Sequence, residues 1–301
     1  MELIVHHTIS DLYRSLNLPI EQDLDFTIHF LPDLHKSTPF ASPVFRAEYF
    51  SFVFVKDGKG SYTTDEKHFP FGPRTIYFTN PGHVKSFKIE ELSDVYIITL
   101  TEHFLRTNVH ADIFREFPFL LAETIPPKTL SVEEFAEFEG LYKQLYSEFA
   151  KNSSLKEKIL GNLFVVILLK IKEKFWSAYD PLEEGDRNSE IVRSFKQLLE
   201  EQFTHLTDKA SGGFHQVQDF AQMLNLHPNY LSHVIKSKTG KPVNDWIQER
   251  MLSAAKNLLT HTSLSSKEIG YRLGFSEPTH FSRFFKKHTT LSPIEFKKSL
   301  Y

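Results

Sequence analysis

Two short runs of polar side chains stand out for the bonds they can make. Asn229, Ser232, His233 and Lys236 follow one another at helical spacing, as do Thr279, His280, Arg283 and Lys286, with Lys287 alongside. Amide, hydroxyl, imidazole and guanidinium groups match the donors and acceptors on base edges in a DNA major groove, and lysines favour phosphates. Each run has an apolar pair on its other side, Leu231 with Ile235 and Phe281 with Phe285, so each reads as a helix with one buried and one polar face. Nucleophilic and redox chemistry is poorly served. The 301 residues contain no cysteine, which removes disulfides, thiolate metal sites and cysteine nucleophiles, and no glycine-rich phosphate loop is present.

The elements that carry these runs are duplicated. One copy extends from Phe220-Ala221 to Gly240 and the other from Ile269-Gly270 to Thr290. Each opens with a short amphipathic helix, over 217–224 and 266–273, in which Ala221 or Gly270 lets a neighbour approach closely. A tight turn follows, Asn225-Leu226-His227 or Gly274-Phe275-Ser276, led by a residue type that tolerates the left-handed conformation. The second helix then starts with Pro228 in its first turn, or with Ser276 as N-cap before Glu277. This is the build of a helix-turn-helix, with units at 217–239 and 266–289. Its first helix crosses the backbone and its second enters the groove.

Between the copies, Val243, Trp246, Ile247, Arg250, Met251, Ala254, Ala255, Leu258 and Leu259 recur at three and four through a long helix. Such a connector holds two reading heads at a fixed separation, suited to successive major grooves roughly 34 Å apart. Ser265 with Glu268 and Ser292-Pro293 with Glu295 are predicted caps of the helices that follow. Charge agrees with the assignment: residues 191–301 hold 15 Lys and Arg against 9 Asp and Glu, whereas the rest of the chain holds 20 against 29.

The first half has a different period. From Phe26 to about Thr101 the chain shows alternating or β-rich runs, punctuated by Asp57-Gly58-Lys59-Gly60, Gly72-Pro73 and Asn80-Pro81-Gly82. These predict short strands joined by tight turns into a small antiparallel barrel or sandwich. From Ser131 the spacing becomes helical through Phe135, Phe138, Leu141, Tyr142, Leu145 and Phe149, with Ser131 and Glu134 as a capping box. The same signature at Ser154 and Glu157 predicts a second helix to about Trp176. The short connection makes an antiparallel hairpin, and the second helix is apolar on too many sides for one neighbour. It is expected to pack on the barrel and on a second subunit. Residues 179–189, with Pro181, Gly185 and several acidic side chains, read as a linker. The longest apolar run, 159–171, is too short to span a bilayer, and the first residues lack a basic leader before an apolar core, so a cytoplasmic protein is expected.

Residues from about Ile191 to Phe296 resemble the AraC-type DNA-binding domain. The resemblance is carried by Glu268-Ile269-Gly270, Gly274-Phe275-Ser276, the run from Phe281 to Lys287, and Leu291-Ser292-Pro293. It implies two reading heads in successive major grooves. Asn229, Ser232 and His233 would be base-facing in the first, and Pro278, Thr279, His280 and Arg283 in the second, with Lys236, Lys286 and Lys287 on phosphates. The chain departs from the pattern where the family often has arginine, at His233, and glycine, at Thr290.

The strand region is similar to the cupin-like sensory domain of many such regulators, around Arg46-Ala47-Glu48-Tyr49-Phe50, Val55 to Gly60 and Asn80 to Phe87. The resemblance implies an α+β chain. Residues 1–178 would be a cupin-like, ligand-sensing and dimerising domain (barrel 26–101, hairpin 131–176) and residues 190–301 an all-α DNA-binding domain. The partners implied are double-stranded DNA, a small-molecule effector, a second copy of the chain and RNA polymerase. Arg46, Tyr49, Tyr62, His83 and Lys85 are the candidate ligand contacts, Arg46 as a bidentate partner for a carboxylate. No His-x-His pair occurs, so neither a metal nor another cofactor is expected, and the chain is read as no enzyme. Two other readings stay open: a constitutive DNA-binding protein whose barrel only dimerises, and a cupin-type enzyme with a helical tail.

Overall fold

The computed structural model describes residues 4–16, 18, 24–35, 37–64, 67–110, 113–121, 126–176, 187–208 and 215–299. The architecture is α+β, in two compact units: Met1–Ile113 with Phe117–Glu184, and Gly185–Tyr301 with Phe114–Glu116.

In chain order the first unit contains β1 (Ile4–His6), α1 (Ile9–Ser15), β2 (Phe26–Phe30), α2 (Leu31–Leu34), β3 (Phe40–Ala41), β4 (Phe45–Ala47), β5 (Phe50–Thr64), β6 (Lys67–Phe71), β7 (Thr75–Thr79) and β8 (Val84–Leu100). After these come α3 (Glu102–Phe104), α4 (Ile113–Glu116, of which only Ile113 belongs to this unit), β9 (Lys128–Thr129), α5 (Val132–Phe149) and α6 (Lys156–Ile171). The described strands form one nine-stranded sheet, antiparallel except where β1 runs beside β4. Its spine is the pairing of β5 with β8 along nearly their whole lengths.

The turn expected at Asp57-Gly58-Lys59-Gly60 is not a turn. Those residues lie inside β5, and the register against β8 shifts between Val55 and Asp57, between Asp57 and Gly58, and between Lys59 and Gly60. Bulges need the same permissive residues as turns, and they bend a strand instead of ending it. Gly60 shows the requirement: a Cβ there would lie 2.3 Å from the Lys88 carbonyl oxygen and 2.7 Å from the Phe71 ring. Beyond the bend, β5 exchanges one neighbour, pairing with β7 through Ser51–Val55 and with β6 through Gly60–Thr64. The end of β8 pairs with β2, and the strand pairs with β3 and β4 near its start.

Alternation along the curled sheet sends side chains to two destinations. Phe52, Phe54, Ile98 and Leu100 are fully buried on the face covered by helices. Phe164 of α6 meets Phe52 edge-on at 5.0 Å, and Tyr142 of α5 packs on Phe54 at the same distance. The other face holds Ser51, Val53, Tyr77, Thr79, Ile97 and Thr99 around a pocket.

Ser131 caps α5 reciprocally with Glu134. The capping box expected at Ser154 and Glu157 does not form: α6 starts at Lys156 after Leu155, and the local side-chain bond is the one the Leu155 N–H donates to Ser153 Oγ.

The second unit is helical: α7 (Arg187–Asp208), α8 (Val217–Met223), α9 (Pro228–Thr239), α10 (Val243–His261), α11 (Ser266–Arg272), α12 (Pro278–Thr289) and α13 (Pro293–Ser299). Of the expected linker, 179–186 lies outside the described residues, and Arg187, Asn188 and Ser189 are the first residues of α7. Two cores form. Phe195, Phe220, Leu231 and Ile235 centre one, Ile269, Leu273, Phe281 and Phe285 the other. Helix α10 serves both: Val243 and Ile247 belong to the first, Ala255, Leu258 and Leu259 to the second, and Ala254 touches each. A single rod built into two cores fixes the spacing between α9 and α12 without a flexible joint.

Candidate functional site

Each helix pair is set by its turn. Asn225 and Gly274 hold left-handed backbone at φ of 54° and 80°, letting α8 reverse into α9 and α11 into α12. Pro228 opens α9, and the Asn229 N–H donates to Nδ1 of the N-cap, His227, at 3.3 Å. In the second copy the N-cap is Glu277, not Ser276, and Pro278 follows in the first turn. Four residues (224–227) separate α8 from α9, whereas five (273–277) separate α11 from α12, so proline opens both reading helices although the second turn carries an extra residue.

Aligned on those prolines, Asn229 corresponds to Thr279, His233 to Arg283 and Lys236 to Lys286, and all six side chains are exposed. His280 and Lys287 are exposed too, while Ser232 and Pro278 are half-buried. Leu231 and Phe281 beneath them are fully buried. The alignment adds a residue that polar patterning passes over: Tyr230 sits at the place of His280, is 41 % exposed, and donates its hydroxyl to Asn188 Oδ1 of α7 at 3.1 Å. Thr239 and Thr289 are equivalent as well. Thr239 Oγ1 donates to the Ile235 carbonyl at 2.7 Å and Thr289 Oγ1 to the Phe285 carbonyl at 2.8 Å, and each hydroxyl also meets the carbonyl two residues on. The Trp246 indole N–H of α10 donates to Thr239 at 3.2 Å, locking the end of the first reading helix to the connecting rod.

Further contacts stiffen this frame. Arg250 of α10 donates through Nε to both oxygens of Glu200 on α7 at 3.0–3.1 Å, with both side chains nearly buried, and stacks over Phe203 at 4.6 Å. Ser265 with Glu268 and Ser292 with Glu295 make reciprocal caps on α11 and α13. Their hydrogen bonds hold the Glu268 and Glu295 carboxyls below the ordinary carboxylate range.

The candidate ligand contacts divide. Tyr49, Tyr62 and Lys85 are buried and line the pocket on the inner face of the sheet, which has an empty volume of about 850 Å³ with its mouth included. Arg46 on β4 and His83 just before β8 are not in its lining. Tyr62 and Tyr77 stack at 4.3 Å to form one wall, and Lys85 Nζ donates to Thr79 Oγ1 at 2.8 Å. Burial raises the phenols of Tyr49, Tyr62 and Tyr77 well above their ordinary range, so each stays an O–H donor at neutral pH. Helix α1 closes one side with Leu12 and Tyr13, joined by Leu16 at its C-cap, and the Tyr13 hydroxyl bonds to His29 Nε2 of β2 at 2.6 Å.

Two helix-turn-helix units on one rod, each offering a polar face above a buried one, define a DNA-binding protein. A family model described as a helix-turn-helix domain matches residues 220–299. The chain is 21 % identical over 282 residues to the HTH-type transcriptional regulator YfiF of Bacillus subtilis, covering 93 % of this chain and 86 % of that one. It is 24 % identical over 247 residues to the arabinose operon regulatory protein of Salmonella typhimurium, covering 80 % of each. Among solved structures, ToxT from Vibrio cholerae O395 is similar at 14 % identity and a TM-score of 0.35, over 92 % of this chain and 98 % of that chain. The chain is a DNA-binding transcription regulator, similar to AraC- and RhaR-type regulators. Among the described residues, no helix is long and apolar enough to cross a membrane.

Proposed function

We propose that this regulator reads a specific DNA site with α9 and α12 together and is controlled by a small molecule bound in the pocket of its first unit. The observation that carries the reading is the pair of equivalent polar faces, Asn229, half-buried Ser232 and His233 on one helix and Thr279, His280 and Arg283 on the other, held by the shared helix α10. Pro278 shapes the start of the second face. Lys236, Lys286 and Lys287 bind phosphates and position both heads. The protein acts in the cytoplasm as a regulator with no catalytic step, and RNA polymerase is the partner through which it acts.

Selection of bound sequences from a random duplex pool at near-physiological salt tests the reading. Enrichment of two short elements about one helical turn apart supports two-headed recognition. Salt-sensitive binding without enrichment overturns it.

The pocket favours effector control over constitutive binding, because a concave, largely apolar space with a few convergent polar groups is the form ligand sites take. The homodimer is supported by α6, which leaves Val166 and Leu169 exposed at 38 % and 45 %, with Leu155 just before it exposed at 59 %. A monomeric mass at micromolar concentration overturns that part.

A further inference from the structure

Tyr230 lies one helical turn before His233 on α9, and residues three apart are neighbours on a helix surface. Leu231, Val234 and Ile235, on the other side, belong to the core. In the second copy the matching place is held by His280, an imidazole able to pair with polar base edges. The two heads are therefore chemically unlike at this one position.

The phenol is tethered. Its hydroxyl donates to Asn188 Oδ1 at 3.1 Å, and Asn188 belongs to the first turn of α7. The same turn meets α9 again near its far end, where Lys238 Nζ donates to Ser189 Oγ at 3.4 Å. Two adjacent residues of α7 thus hold both ends of the reading helix and fix the direction of the Tyr230 ring, so that its ordering is settled before DNA arrives. With its proton committed to Asn188, the hydroxyl has no donor left for a base or a phosphate. What the residue, 41 % exposed, can still offer a groove is the carbon surface of its ring.

Base edges differ in how they meet such a surface. In the major groove adenine, guanine and cytosine present donors and acceptors, which a ring would strip of water without supplying a partner. Thymine alone adds an apolar group there, the methyl at C5.

We propose that Tyr230 is a further specificity-determining residue of the first head, selecting thymine at one position by contact of its ring with the 5-methyl group, and that Asn188 is the residue that positions it. This rests on the reading of α9 as a helix that enters the major groove.

The test uses the full-length protein and the duplex enriched by the selection described above. Each thymine is replaced in turn by deoxyuridine, which pairs identically but lacks the methyl group, and affinity is read by fluorescence anisotropy at one salt concentration. Wild-type protein is expected to lose about fourfold at a thymine in one half of the site, the scale of a single buried methyl group. Tyr230→Ala binds the thymine and uracil forms of that duplex equally, while its preferences in the other half stand. Asn188→Ala and Tyr230→Phe each shrink the difference, and the double variant shrinks it no further, because all three break one bond. A first half without a methyl-sensitive thymine overturns the assignment with no variant needed, and so does a methyl preference that survives Tyr230→Ala. A difference left unchanged by Asn188→Ala overturns the positioning role. The two layers separate: a pool that enriches no sequence sinks the reading of α9 and this assignment together, whereas an enriched two-part site insensitive to thymine methyls sinks the assignment alone.

Discussion

Gly240 and Thr290 end the two reading helices in the same left-handed conformation, at φ of 75° and 65°. In each, the N–H of that residue donates to the carbonyl of the lysine four positions earlier, Lys236 or Lys286. The backbone requirement is shared, but the residue that meets it without steric conflict is present only in the first copy.

Thr290→Gly is therefore expected to stabilise the protein by about 1 kcal/mol, because a β-branched residue in this conformation crowds its own carbonyl. The opposing loss is small, a hydroxyl bond to the Thr289 carbonyl that water can replace. Urea unfolding of the two proteins reads the difference, and an unchanged or lower midpoint would show that the hydroxyl matters more than the strain.

The same pair shows what could be read in the sequence. The duplicated turns, the prolines at 228 and 278, and the caps at Ser131, Ser265 and Ser292 are local chemistry, decided within four or five residues, and they form. Ser276 and Ser154 carry the same local signal and do not cap, since Pro278 moves the start of α12 one residue on and α6 opens only at Lys156. The sheet was harder to read. Gly58 and Gly60 are bulge residues in a strand of 15, and a bulge and a turn ask for the same side chains. The pocket was hardest, because Lys85, Tyr62, Tyr77 and Tyr13 meet only once β5 and β8 have curled and α1 has closed over them. No spacing along the chain encodes that meeting.

Arg250 and Glu200 offer a second test. Their side chains are 7 % and 12 % exposed and tie the connecting helix to α7. Arg250→Ala removes two charge-assisted hydrogen bonds to the nearly buried Glu200 carboxylate and is expected to cost about 1.5–3 kcal/mol, whereas the double change Arg250→Met with Glu200→Leu is expected to recover part of that loss. Thermal unfolding of the single and double variants checks this. A double variant no more stable than the single one would mean the pair is needed for more than mutual neutralisation.

In DNA binding, Arg283 and Lys286 are neighbours on α12 with different expected duties. Arg283→Ala should cost about 1–3 kcal/mol on the selected site and relax preference at one base position. Lys286→Ala should weaken specific and random duplexes alike and reduce the dependence on salt by about one ion. Competition assays across a salt series distinguish the two, and equal losses on both duplexes from both variants would contradict the division. Tyr230→Phe belongs in the same series: losing the hydroxyl bond to Asn188 frees the ring at a position equivalent to His280. It is expected to alter base preference in the first half of the site only.

Helix α1 is fastened to the sheet by the contact of Tyr13 with His29, and that contact makes its docking sensitive to acid. Burial lowers the His29 pKa from the ordinary 6.5, so the folded protein keeps the imidazole neutral where the undocked state begins to take up a proton. The resulting stability is complete above pH 6.5 and is lost as pH falls from there toward the lowered value. His6 on β1, bonded to the Tyr49 hydroxyl, is lowered by burial in the same way and contributes with the same sign. Amide hydrogen exchange in Ile9–Ser15 should accordingly rise on acidification through this range, ahead of exchange in β5 and β8. His29→Gln, which cannot take up a proton, should flatten the rise for α1 while His6→Gln leaves most of it. If acid loosens α1 to the same extent in wild-type and His29→Gln proteins, the Tyr13–His29 contact is not what holds the helix over the pocket.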